Sequence, residues 1–166
     1  MAAIRQAAVE IGYGYDVDGQ LRFIQVGGAD GISGFRQDDL AAIVNGLFIH
    51  NHPPYPFPMG DPRRRAGSFS PWDLVFMWEH DLAEFVAVTA DRTYTLRRPA
   101  GGFFLDPGEI RTEYRAYLDI VRTRLNVAAR AGVIAATAAL AQGRWADEVM
   151  NILGTFYDYH WTEVEP

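Results

Sequence analysis

The chain is expected to form one α+β domain, with helices packed on a mixed β-sheet. Three observations predict this class. Short apolar and aromatic runs separated by turn residues fill residues 8–99, and capped helical segments fill 106–166. No linker, repeat or second domain interrupts the 166 residues. Nearly half of them are hydrophobic, enough to bury a substantial core.

The elements follow in order. Residues 7–16, AAVEIGYGYD, and 20–26, QLRFIQV, flank the turn DVDG, which is a hairpin pattern and places Glu10 on the first strand. GGADGISGF is loop, and RQDDLAAIVNG has helical spacing with acidic residues in its first turn. LFIH is a short buried strand ending at His50, and the proline-rich residues 51–69 are expected to be an irregular surface loop. Ser70 followed by Pro71 marks the start of a helix through PWDLVFMWEHD, because serine accepts at the N-cap and proline suits the first turn. His80 falls in its last turn, where the helix dipole favours a cation. EFVAVTADRTYTLRRP reads as two strands about a tight turn at Asp91 and Arg92. Asp106, Pro107 and Glu109 form a capping box that opens a long helix, PGEIRTEYRAYLDIVRTRLNVAAR. An alanine-rich helix and a further one, RWADEVMNIL, come next, and the aromatic end TFYDYHWTEVEP is expected to dock as a strand or a final turn.

Composition narrows the function. A formal charge of −6 provides no general attraction to nucleic acid or anionic lipid. The N-terminal residues lack the apolar core of a signal peptide, and AGVIAATAALA is too short and alanine-rich to span a bilayer. A cytoplasmic protein is the default expectation, and the absence of cysteine fits it. Any zinc site must therefore use histidine and carboxylate. All fifteen basic residues are arginine and none is lysine. A GC-rich coding sequence explains that composition, and so does an enzyme of a lysine-modifying pathway that escapes conjugation itself.

The chemistry gathers around HNHP at 50–53 and SPWD at 70–73. His50 and His52 alternate, so in an extended segment both imidazoles point the same way. Two imidazoles at a strand end can hold zinc if a third ligand joins them, and Asp73 offers a carboxylate oxygen. Zinc lowers the pKa of a coordinated water toward ~7, and a nearby carboxylate is still needed to carry the proton. Glu10, on the neighbouring strand, is the candidate, with Glu79 and Glu84 as rivals. Ser70, one turn before Asp73, can donate to an oxyanion; Ser68 competes only if the helix starts earlier. Taken alone, SPWD is also an ordinary capping box.

Glu10, HNHP and SPWD together resemble the JAB/JAMM (MPN-type) zinc metallopeptidases, most closely the small bacterial and phage-associated branch. The resemblance covers roughly residues 8–99, and the helical part at 106–166 matches only loosely. It implies the JAB/MPN (cytidine deaminase-like) fold with α/β/α layers and one zinc ion per chain held by His50, His52 and Asp73. It also implies Glu10 as general base and then acid, and Ser70 at the oxyanion. The expected reaction is hydrolysis of the amide bond after the C-terminus of a ubiquitin-like protein, in deconjugation or precursor processing. A non-catalytic scaffold with the same fold is the alternative, as is a peptidase of a toxin or phage system with another protein substrate. The connection from His52 to Ser70 holds seventeen residues and is longer than the family pattern. It sits where substrate should approach, and Arg63, Arg64 and Arg65 within it are either solvated or contacts for an acidic partner surface.

Overall fold

A computed structural model describes residues 4–58 and 60–164, so the final two residues of the aromatic tail lie outside the described residues. Six strands form one sheet in the order β2-β1-β3-β4-β5-β6. They span Ile11–Tyr15 (β1), Leu21–Val26 (β2), Leu47–Asn51 (β3), Glu84–Val88 (β4), Arg92–Arg97 (β5) and Asp158–Glu163 (β6). β3 and β4 run parallel, and every other neighbouring pair is antiparallel. The mixed α+β expectation is therefore met. The helices are Gln37–Ala42 (α1), Pro71–Glu79 (α2), Pro107–Arg130 (α3), Ala136–Ala139 (α4) and Gln142–Leu153 (α5). Among the described residues no helix is long and apolar enough to cross a membrane.

The hairpin forms because the Asp16 carboxylate accepts the N–H groups of Asp18 and Gln20, closing the turn between β1 and β2. β1 begins at Ile11, later than the apolar run suggested, and Glu10 immediately precedes it. Gly12 lets the aromatic core approach β1, since a Cβ there would lie 2.3 Å from the Phe48 ring. α1 is shorter than its spacing predicts. Its N-cap, Arg36, makes no side-chain cap, and Asn45 reverses the chain with φ +57°.

α2 and α3 begin where their capping boxes place them, at Ser70 and Asp106. α3 buries Ile110, Tyr114, Val121 and Leu125, one stripe along its length. The alanine-rich segment makes only the four-residue α4, whose N-terminus has no side-chain cap. Alanine favours helix but supplies neither a cap nor much apolar area to bury. The aromatic tail docks as β6 against β5.

The main core joins Phe48, Phe85, Ala87 and Leu96 of the sheet to Leu74 and Met77 of α2, Tyr114 and Val121 of α3, and Val149 and Met150 of α5. Ile43, just beyond α1, enters the same core. The opposite sheet face carries Ile11, Tyr13, Leu47, Ile49, Val86 and Val88, packed with Ile4. Among the described residues none from α1 to α5 joins that second cluster, and α2, α3 and α5 bury their apolar residues in the first. α3 packs on α2, and α4 and α5 pack on α3.

The expected surface loop at 51–69 also needs correction, because Ala66, Ser68 and Phe69 are buried. The chain dives inward where Gly67 meets Gly143 at the start of α5. A Cβ at Gly143 would sit 2.2 Å from the Arg65 carbonyl oxygen, and one at Gly67 would sit 2.5 Å from the Gly143 oxygen. Backbone cannot yield as a side-chain tip can. Gly143→Ala should therefore lower stability by about 1–3 kcal/mol, read as a lower urea midpoint at unchanged m-value.

Candidate metal centre

Parallel pairing with β4 carries β3 to His50 and Asn51, and the N–H of His52 continues the pattern by donating to the Val88 carbonyl at 2.9 Å. His50 is 2% exposed and its ring lies against Phe48 and Phe85, with centroids 6.0 and 4.9 Å away. His52 is held differently. Its Nδ1 lies 2.9 Å from the Gly67 carbonyl oxygen, which can only accept, so Nδ1 carries the proton and Nε2 is left with a lone pair. The two Nε2 atoms are 2.7 Å apart.

Asp73 reaches the pair from the first turn of α2. Its Oδ1 lies 3.4 Å from Nε2 of His50, and its Oδ2 lies 3.6 Å from Nε2 of His52. All ligand atoms of His50, His52 and Asp73 fall within 4.8 Å of one another, so the three residues form a group able to hold a metal ion. The expected ligands are thus brought together. Burial acts to raise the Asp73 pKa, but His50, His52 and the Ser70 N–H outweigh it and hold the carboxyl well below the usual range. Burial and the neighbouring His50 push His52 down. A charged carboxylate and a neutral imidazole are the protonation states a divalent cation requires.

Ser70 and Asp73 close a reciprocal cap. The Ser70 N–H donates to Asp73 Oδ2 at 2.6 Å, and the Asp73 N–H donates to Ser70 Oγ at 3.3 Å. Because that hydroxyl only accepts in the cap, its own proton stays free to donate toward the cleft. Ser70, Glu10 and the three ligands line one cleft of about 830 Å³, whose walls include Asp30, Tyr55, Trp72, Arg122 and Trp145. Glu10 is half-buried. Burial pushes its pKa up to about 7, with Asp73 and Asp30 adding to the effect and His52 opposing it. A carboxyl poised there can both take and return a proton near neutrality.

The rivals fall away. Glu79 ends α2, Glu84 pairs with Arg97 at 2.9 Å, and neither lines the cleft. Ser68 also lines the cleft, but α2 does not start earlier than Ser70, which is its N-cap, and the Ser68 N–H donates to Asp147. His80 sits on the Phe76 ring, and burial lowers its pKa, against the cation expected at the helix end. The half-buried arginine run makes contacts within the chain. Arg63 pairs with Asp61 and covers the Phe57 ring, Arg64 donates to the Phe57 carbonyl, and Arg65 reaches Asp147.

Sequence reasoning missed Asp147. Its carboxylate accepts the Ser68 N–H at 2.9 Å, Arg65 Nη2 at 2.9 Å and the Tyr94 hydroxyl at 3.3 Å. This pins the segment whose Gly67 carbonyl orients His52. The available signal was an acidic residue inside the buried stripe Gly143, Asp147, Met150 of α5.

No protein-family model matches the chain, and no curated protein or solved structure matches it either.

The ligand group leads to a direct expectation. A divalent cation at a hundredfold excess over its Kd should stabilise the protein by about 2.7 kcal/mol, a rise of roughly 5–10 °C in Tm. Thermal scans across Zn2+, Co2+, Mn2+ and Mg2+ should find that rise for at least one ion, and His50→Ala and Asp73→Ala should abolish it.

Proposed function

We propose that the protein is a zinc-dependent peptidase or isopeptidase of the JAB/JAMM type, cleaving the amide bond that follows the C-terminus of a ubiquitin-like protein. The observation that carries this reading is the gathering of His50, His52 and Asp73 in one cleft with Glu10 and Ser70. The motif resemblance supplies the substrate class. Two imidazoles and one carboxylate are a donor set that suits zinc and leaves room for substrate.

When bound, zinc supplies a Lewis acid that polarises the amide carbonyl and acidifies water. Glu10 takes the proton of the attacking water and delivers it to the departing amine, a shuttle for which a pKa raised by burial is suited. Ser70 donates its hydroxyl proton to the carbonyl oxygen as negative charge builds there. His52 keeps its orientation through the Gly67 carbonyl, and Asp73 keeps its own through the Ser70 N–H. The substrate tail enters a cleft walled by Tyr55, Trp72 and Trp145.

The test is cleavage of a linear ubiquitin-like fusion by the zinc-loaded protein. Glu10→Ala should lose about 10²–10⁴-fold in kcat while retaining zinc; equal cleavage by both proteins rules out the base. A folded wild type that binds no metal points instead to a scaffold.

The pH profile offers a separate check. Glu10 must start as the carboxylate, so activity falls as pH drops through its pKa. That pKa is about 7 without metal, and a nearby cation favours the carboxylate. The acid limb of kcat/KM should therefore lie below about 7. Activity that stays constant down to pH ~4, the ordinary glutamate range, would contradict the assignment.

A further inference from the structure

The end of β3 carries a third polar side chain between the two histidines, and Asn51 has no exposed surface. The regular pairing of β1 with β3 stops at Gly12 and His50, and beyond it the His52 N–H turns to Val88 of β4. The two strands part where the metal ligands and Glu10 must face each other. Asn51 spans the gap. Its Oδ1 accepts the Ile11 N–H at 2.7 Å, and its Nδ2 donates to the Val9 carbonyl at 3.0 Å.

Those contacts fall on the two peptide units that flank Glu10. The remaining groups of the same units bond on the other edge. The Glu10 N–H donates to the Gly28 carbonyl at 2.7 Å, and the Gly27 N–H donates to the Glu10 carbonyl at 2.8 Å. All four polar groups of both peptide planes are thus satisfied, two by backbone and two by one amide side chain. A primary amide offers a donor and an acceptor side by side without any change of protonation state. An ionised aspartate would set an oxygen against the Val9 carbonyl and would have to take up a proton to donate there, and an alanine would leave both groups unpaired.

We propose that Asn51 is a positioning residue for Glu10, locking the peptide planes on both sides of it so that its carboxylate stays in the cleft facing the metal centre. This rests on the reading of Glu10 as the proton carrier. The cost of losing it appears in turnover rather than in substrate or metal binding, because Asn51 does not line the cleft.

The experiment compares zinc-loaded Asn51→Ala and Asn51→Asp with wild type, using Leu96→Ala, a buried β5 change that does not itself line the cleft, as a control for general destabilisation. Cleavage of the ubiquitin-like fusion, zinc content and amide hydrogen exchange are measured on each. Asn51→Ala should lower kcat by about 10–100-fold, with KM and zinc stoichiometry within about twofold of wild type. Exchange at the Glu10 and Ile11 amides should quicken by about tenfold or more relative to Leu96→Ala. Asn51→Asp, which keeps the acceptor for Ile11, should restore protection at Ile11 but not full turnover. Unchanged kcat, or a loss that tracks zinc content or matches Leu96→Ala, overturns the proposal. If wild type itself cleaves nothing, the reaction assignment falls, and exchange still decides: unaltered protection of Glu10 and Ile11 in Asn51→Ala sinks the positioning role.

Discussion

At the start of α2 the Asp73 carboxylate accepts the Ser70 N–H at 2.6 Å while its two oxygens face the imidazoles of His50 and His52, so one side chain serves both helix and site. The cap fixes where α2 begins, and the beginning of α2 fixes where the third ligand stands. The arrangement also explains the charge state. Orphan N–H groups at a helix start favour a carboxylate, and so do the adjacent rings. Around this junction the fold is conservative. β3 ends beside it, α2 leaves from it, and Leu74 and Met77 then carry the helix into the core.

The long connection between His52 and Ser70 runs beside a site whose geometry must be held closely. Lengthening a loop costs little entropy when both ends are anchored, but a floppy loop would leave His52 unoriented. Here the far end of the loop is made rigid. Gly67 and Gly143 bring backbone against backbone, and Asp147 gathers the Ser68 N–H, Arg65 and the Tyr94 hydroxyl. Burial pushes the Asp147 carboxyl up while Arg65 pulls it down. A buried carboxylate with that many partners is better understood as a device for specifying one loop path than as a large source of stability.

Glu10 stands in contrast to Asp73. Both are acidic and close to His52, yet their pKa values move apart: one is raised by burial near other carboxylates, the other lowered by the imidazoles and an N–H. Two carboxylates separated in this way suit two roles, one a permanent anion and ligand, the other a group that exchanges a proton.

Much of this was legible in the chain itself. The capping boxes at Ser70 and Asp106, the hairpin about Asp16 and the alternation of His50 and His52 are relations among residues a few positions apart, and local geometry enforces them whatever surrounds them. His50 with His52, and Ser70 with Asp73, could be named for that reason, whereas Glu10 was named from the expected packing of its strand and from the motif resemblance. What only the tertiary structure decided involves partners far apart in sequence: the sheet order, the burial of Phe69, the reach of Arg65 to Asp147, and Asn51 bridging to Val9 and Ile11. Asp147 meets Ser68 across 79 positions. Such a contact depends on the path of the whole chain and leaves in the sequence only an acidic residue on an apolar helix face.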